Sequence, residues 1–121
     1  MSTSPPPFAH IADLARHIDV PVNGTLSVTL HQDEHVKVVL FGFAEGQELS
    51  EHTASVPAIL QQVSGRARWR LGGQELAAEP GAWAHMAANL HHAIVALTPC
   101  ILLLTMIRGA KAPPAASERS T

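Results

Sequence analysis

Histidine is the residue type with the most chemical potential in this 121-residue chain, which contains eight histidines. A neutral imidazole binds divalent metals and transfers protons near neutral pH. The number alone is weak evidence for a metal site, so spacing must select the histidines that act together. His31 and His35 flank a predicted turn, which favours a position at a rim. His91 and His92 are adjacent, so their rings point to opposite sides of an extended strand.

Other catalytic arrangements are not predicted. Gly72-Gly73 is typical of an isolated hairpin turn rather than a phosphate-binding loop, and the chain contains no serine elbow. Cys100 follows a Thr-Pro turn and opens an apolar stretch, which favours an inert buried thiol over a nucleophile. As the only cysteine, it also excludes an internal disulfide and a cysteine-rich metal site. Glu45, Glu48 and Glu51 cluster in one predicted loop, where solvation is expected.

Composition indicates a compact protein without nucleic-acid or membrane partners. Apolar residues form 46% of the chain and charged residues 15%, which is typical of one globular domain. The formal charge of -2 comes without a basic stripe, so no nucleic-acid partner is expected. The longest apolar run is far too short to span a membrane, and the N-terminus lacks the features of a signal peptide. We expect a soluble, cytoplasmic protein.

The elements that would position the histidines are predicted to be short strands. Turn signals such as Ser64-Gly65 and Pro80-Gly81 separate them. Because a second helical segment is missing from this pattern, it predicts an all-β sandwich or barrel. The predicted strands are Leu26–Leu30, Val36–Phe43, Ala58–Val63, Arg66–Leu71, Gly81–Met86, His92–Leu97 and Ile101–Ile107.

Alternation along these strands predicts which faces are buried. Arginines alternate with Ala67, Trp69 and Leu71, which predicts a solvated outer face over a core face, with an anion-binding arginine ladder as the alternative. Residues 38–43 and 101–107 are apolar on both faces, so something must cover the second face. We expect a homodimer to cover it.

Three segments are predicted along the chain. Apolar residues between Phe8 and Ile18 recur at helical spacing before Pro21, so residues 1–20 are predicted to be a tail with a short helix. Residues 21–109 are predicted to form the barrel. Residues 110–121 are rich in proline, serine and alanine and are predicted to be a flexible C-terminal tail.

Residues 46–65, GQELSEHTASVPAILQQVSG, resemble the first sequence motif of the cupin family. That motif reads glycine, five residues, histidine, one residue, histidine, three or four residues, glutamate, six residues, glycine. Both terminal glycines and His52 match. Ala54 stands at the second histidine position and Ala58 at the glutamate position.

Residues 81–96, GAWAHMAANLHHAIVA, resemble the second cupin motif. That motif reads glycine, five residues, proline, one residue, glycine, two residues, histidine, three residues, asparagine. The first glycine and His92 match, whereas Ala87, Asn89 and Ala96 replace the proline, glycine and asparagine. Fifteen residues lie between the two stretches, a normal separation for small cupins.

The resemblance covers about residues 26–108 and is to small single-domain bacterial cupins. It implies an RmlC-like jelly-roll barrel, also called a double-stranded β-helix, with a short N-terminal helical or irregular segment. A complete cupin centre holds iron, manganese, nickel or zinc with three histidines and a glutamate. Of those four ligands this chain keeps only His52 and His92.

Two functions are therefore weighed, and the first is favoured because two ligand positions hold alanine. In the first, the barrel cavity binds a small organic molecule, with His52 and His92 as polar anchors in a metal-free or weakly metal-binding protein. His85 is a candidate third donor, Gln61 a weak neutral donor, and Trp83 either a core filler or a stacking wall for the ligand.

In the second, the protein is a metal-dependent cupin enzyme of the dioxygenase, isomerase or decarboxylase type, with His52 and His92 as ligands of a divalent transition metal. A third reading is a structural or partner-binding barrel whose interior is filled by side chains.

Overall fold

The computed structural model describes residues 6–109 and contains two antiparallel β-sheets. Sheet A consists, in spatial order, of β1 (Thr25–Gln32), β2 (Val36–Phe43), β9 (Cys100–Ile107), β4 (Ala58–Ser64) and β7 (Trp83–Met86). Sheet B consists of β3 (Glu48–His52), β8 (His92–Ala96), β5 (Ala67–Leu71) and β6 (Gln74–Ala78). The predicted all-β architecture is confirmed.

All seven predicted strands are present with small changes in their bounds, but two further strands were not predicted. These are β3 and β6, in which most side chains are exposed. β6 follows the Gly72-Gly73 turn and pairs with β5 along its whole length. β3 pairs with β8 and carries His52, so the missed strand is one that positions a candidate site residue.

The interior between the sheets is filled by apolar side chains, with Trp69 at its centre. Trp69 is only 2% exposed, and its Nε1–H donates a hydrogen bond to Oε1 of the buried Gln62 at 3.2 Å. Ala67 is buried like Trp69, whereas Arg68 and Arg70 are exposed, so the predicted facing of this strand is confirmed. Burying one large aromatic ring contributes roughly 1.5–3 kcal/mol.

A second apolar cluster lies on the outer face of sheet A and is covered in part by the chain's own N-terminal segment. Ile18 is 8% exposed and packs with Leu40, Ile101 and Leu103. Gly42 permits this close approach, because a Cβ there would lie 3.3 Å from Cδ1 of Ile18. The homodimer was predicted because this face needed a cover, and the N-terminal segment supplies part of that cover. The homodimer stays a prediction.

The predicted short N-terminal helix is a single turn. Only Leu14–His17 form a single turn of 3-10 helix, and the side chain of Asp13 caps it by accepting a hydrogen bond from the N–H of Ala15 at 3.2 Å. Ile18 is already extended. The apolar spacing between Phe8 and Ile18 therefore does not mark a helix of that length. Phe8 itself is 73% exposed.

The predicted C-terminal tail, residues 110–121, and residues 1–5 of the N-terminal tail lie outside the described residues. Between residues 6 and 109 the structure contains no helix with the length and apolar character needed to cross a membrane. The cytoplasmic location stays a prediction.

Candidate functional site

The two motif histidines meet at one end of the barrel. β3 ends at His52, β8 begins at His92, and the two residues are direct cross-strand partners. Their ring centroids are 4.2 Å apart and the ring planes are inclined by 59°. We call these two residues the histidine pair.

A β-bulge in β3 sets the direction of His52. Leu49 pairs with Ile94 and His52 pairs with His92, so β3 advances by three residues where β8 advances by two. The extra residue changes the strict alternation of the strand. Leu49 and His52 therefore point to the same, inner side despite their odd spacing.

The turn before β8 fixes His92 through backbone hydrogen bonds. Asn89 adopts a left-handed conformation with φ of 68°, which asparagine tolerates better than most residues. Its N–H donates to the carbonyl of Ala54 at 2.7 Å, and the carbonyl of His91 accepts from the N–H of Gly72 at 2.8 Å. The start of β8 is thus connected both to the segment after β3 and to the hairpin after β5.

Backbone carbonyls fix the same tautomer in both rings of the histidine pair. Nδ1 of His52 lies 2.7 Å from the carbonyl oxygen of Ser50, and Nδ1 of His92 lies 2.9 Å from that of Leu90. Because a carbonyl oxygen only accepts, Nδ1 must carry the proton in each ring. In the neutral rings each Nε2 then has a lone pair. Within residues 6–109 the protein makes no hydrogen bond to either Nε2 atom.

The two rings differ in burial. His92 is 5% exposed, whereas His52 is exposed. Burial lowers the pKa of His92 below its ordinary value of 6.5, and the nearby His52 and His91 lower the pKa further, against the opposing effect of the Leu90 carbonyl. His92 is therefore neutral at pH 7, with Nε2 available as a hydrogen-bond acceptor.

Half-buried leucines surround the histidine pair. Leu71 is the cross-strand partner of His92 on β5, and Leu49 precedes the bulge on β3. Leu90 belongs to the same apolar cluster and packs near the Gly72 turn. The histidine pair therefore has apolar side chains among its nearest neighbours in the sheet and in the turn before β8.

On the other side of the strands, Nδ1 of His91 lies 3.3 Å from the carboxylate of Glu51. His91 is exposed while the adjacent His92 is buried. The prediction that these two adjacent histidines face opposite ways is confirmed.

The structure does not bring the other three candidate residues to the histidine pair. On β7, Met86 and Ala84 face the interior, so alternation directs Trp83 and His85 to the outer face of sheet A. Gln61 pairs with Trp83 and lies on that outer face too. Trp83 is 58% exposed, which excludes the core-filling role. As a third donor beside His52 and His92, His85 is on the wrong side of its sheet.

The residues at this end of the barrel do not fit a complete cupin metal centre. Ala58, at the glutamate position, is buried and pairs with Met86 and Met106. Across residues 6–109 the structure assembles no group of three or more histidine, cysteine, aspartate or glutamate side chains that could hold a metal ion. A catalytic metal normally needs three protein ligands.

The arginines of β5 line a shallow groove of about 260 Å³ on the outer face of sheet B, with Ala93 and Val95 as its floor. Glu48, Glu51 and Glu75 also line this groove, and Glu75 lies 3.9 Å from Arg68. The carboxylates offset the positive charge of the arginines. The groove therefore does not fit the anion-binding ladder that was the alternative at the sequence level.

Sequence reasoning missed the groups that orient the rings. The carbonyls of Ser50 and Leu90 precede their histidines by two residues, and no side-chain pattern identifies them. Leu49 and Leu71 were recognisable only as apolar residues. His31, which was expected at a rim, lies 2.9 Å from the carboxylate of Asp33 in the turn after β1.

Comparison with known proteins confirms the predicted RmlC-like jelly-roll barrel fold. The structure is similar to a cupin superfamily protein from Desulfitobacterium hafniense, with a TM-score of 0.76, 25% identity and coverage of 84% of this chain and 94% of that chain. An RmlC-like cupin protein from Desulfovibrio desulfuricans gives a TM-score of 0.73 and 21% identity over 83% of this chain and 97% of that one.

A salicylate 1,2-dioxygenase from Pseudaminobacter salicylatoxidans is more distant, with a TM-score of 0.66 and 12% identity. The similarity covers 69% of this chain but 26% of the dioxygenase chain, so it concerns the barrel alone. No protein-family model and no curated protein sequence matches this chain.

Proposed function

We propose that this chain, a small barrel with the RmlC-like cupin fold, binds a small organic molecule through His52 and His92 without a tightly bound metal. One observation carries the proposal. In each ring Nδ1–H donates a hydrogen bond to a backbone carbonyl, and Nε2 makes no hydrogen bond to the protein within the described residues.

The Nε2 atom of His92 is the one whose missing partner costs free energy. Its ring is nearly buried, and a buried polar atom without a partner costs about 1–3 kcal/mol. Such atoms in native proteins are usually satisfied by protein, water or a ligand. The exposed His52 beside it leaves a way in from solvent. Because the two ring centroids are 4.2 Å apart, a ligand that contacts His52 from solvent lies close to the ring of His92.

The experiment is a ligand-observed NMR screen of neutral, anionic and cationic small organic molecules against the tag-free protein. We expect hits whose binding is weakened in His52→Ala. The matched control is His35→Ala, which removes another exposed histidine, one paired with Glu34 at 3.6 Å. If no molecule binds, or if His52→Ala binds the hits as the wild type does, the proposal is wrong.

Elemental analysis of tag-free protein separates this proposal from the metal-dependent enzyme. We expect clearly less than one equivalent of iron, manganese, nickel or zinc after growth in supplemented medium, because two imidazoles alone rarely hold such metals tightly. One full equivalent that disappears in His52→Ala would favour the enzyme instead.

A further inference from the structure

We propose that the ligand of the histidine pair presents two adjacent hydrogen-bond donors on an uncharged body, as a vicinal diol does. This inference rests on the proposed function and specifies its ligand class. It follows from what the two rings offer, how close they lie and what surrounds them.

The two rings offer acceptors rather than donors. Each Nδ1–H is already used by a carbonyl, at 2.7 Å for His52 and 2.9 Å for His92. A neutral imidazole whose Nδ1 carries the proton has only a lone pair on Nε2. A ligand group that itself has only lone pairs, such as an ether oxygen or a carboxylate, gains no hydrogen bond there.

The short distance between the two rings favours a ligand with two adjacent hydrogen-bond donors. The ring centroids are 4.2 Å apart, and the two residues are held as direct cross-strand partners. A single hydroxyl donates one proton and satisfies one ring. Two hydroxyls on neighbouring carbon atoms donate to both rings without large separation, so the diol satisfies both acceptors at once.

The side chains beside the histidine pair favour a ligand whose body is uncharged. Leu49, Leu71 and Leu90 flank the pair with apolar surface. The nearest carboxylate along β3, that of Glu51, faces the other side of the sheet and is paired with His91. A cationic ligand would thus lose hydration without gaining a counter-charge from this residue.

The test uses one hydrocarbon scaffold with different donor counts. Cis-1,2-cyclohexanediol, its monomethyl ether and its dimethyl ether are titrated into the full chain at pH 7.5 and followed by protein-observed NMR. We expect each methylation to weaken binding about fivefold, since one hydrogen bond is lost each time. Cyclohexanecarboxylate should bind at least about tenfold more weakly than the diol, because its oxygens only accept.

His52→Ala distinguishes a lost hydrogen bond from added bulk. In this variant one acceptor is gone, so the advantage of the diol over its monomethyl ether should fall to less than about twofold. If the full advantage persists, the effect is steric and the inference is overturned. His52 is exposed, so the variant keeps its fold, which thermal unfolding would verify.

Nitrogen-15 spectra of the imidazole rings provide a second measurement that needs no variant. We expect both histidines to carry the proton on Nδ1, with Nε2 shifted by the diol and unmoved by the dimethyl ether. Protonated Nε2 in the neutral rings would overturn the inference.

The outcomes separate this inference from the proposed function. Equal affinity for the three probes, with all three weakened in His52→Ala, would leave the histidine pair as anchors but overturn the donor rule. If the affinity of the probes is unchanged in His52→Ala, the proposed function is wrong and the inference fails with it. The same holds if no probe binds and the screen also finds no ligand.

Discussion

The two ends of this barrel use their polar groups differently. One end contains Ser64, Gly65 and Cys100, and we call it the glutamine end. There, both polar atoms of the Gln62 side chain form hydrogen bonds within the protein. Its Oε1 accepts from Trp69, and its Nε2 donates to the carbonyls of Ser64 at 3.0 Å and Gly65 at 3.4 Å. At the opposite end, each ring of the histidine pair keeps one nitrogen free of protein partners among the described residues.

This difference indicates that the polar groups at one end stabilise the barrel, whereas those at the other end contribute little to its stability. Saturated hydrogen bonding at the glutamine end stabilises the barrel, because buried polar groups with partners cost little. Unused acceptors at the histidine end add little to stability and remain available to another molecule. Variants that test the comparison should therefore affect stability strongly at the glutamine end and weakly at the histidine end.

The largest effect is expected for Trp69→Ala. Removing this buried ring leaves a cavity and deprives Gln62 Oε1 of its donor, so the free energy of unfolding should fall by about 3–5 kcal/mol. Trp83→Ala is the matched control, because its ring is 58% exposed, and it should cost below about 1 kcal/mol. Urea unfolding measures both. Similar losses for the two tryptophans would contradict the assigned faces.

Gly65→Ala should come next, with a loss of about 2–3 kcal/mol. Gly65 has φ of 70°, and an added Cβ would overlap the carbonyl oxygen of Pro99 and the Cβ of Cys100. Gly73→Ala provides the control, since φ there is 86° but the space around its Cβ is open. The control should show the conformational cost alone, about 1 kcal/mol. Equal costs would mean that the close packing at the glutamine end is not rigid.

The histidine end should make stability depend on pH through His92. Its pKa in the folded state is lowered by burial, so below pH 6.5 the unfolded chain binds the proton more readily than the folded one. Stability should therefore be unaffected by this group above pH 6.5 and fall as the pH drops below it. Urea unfolding at pH 7.5 and 5.5 measures the fall, which should shrink in His92→Gln. An equal fall in the variant would assign the dependence to other groups.

The smallest effect is expected for His52→Ala, with a change in the free energy of unfolding within about 0.5 kcal/mol. Its ring is exposed and its single hydrogen bond goes to a carbonyl two residues away. Chemical denaturation of the same samples used for ligand binding would measure it. A loss comparable to that of Gly65→Ala would show that the histidine end also stabilises the barrel.

Much of the fold could be predicted because it depends on local alternation. The polar and apolar sequence of residues 66–71 predicted the inward face of Trp69, and the structure confirms it. β3 could not be predicted in the same way, because four of its five side chains are exposed and the strand lacks an apolar face. Its pairing with β8 identifies it as a strand.

The meeting of His52 and His92 was expected from the cupin motifs, but the orientation of the rings was not. Which nitrogen carries the proton depends on backbone carbonyls, whose positions follow from the bulge and from the turn at Asn89. The sequence also did not reveal which residues of β7 face the interior. An apolar neighbour stands on each side of His85 in the sequence, so only the pairing with β4 reveals that it faces outward.

The bulge in β3 has an evolutionary consequence. A strand shortened by one residue between Leu49 and His52 would return to simple alternation, and the imidazole would still project inward opposite His92. Deletion of one residue at this point should therefore keep the inward direction of the imidazole, whereas deletion within a regular part of sheet B would reverse the face of every following side chain. A chain one residue shorter here could thus present the same ring to the same place.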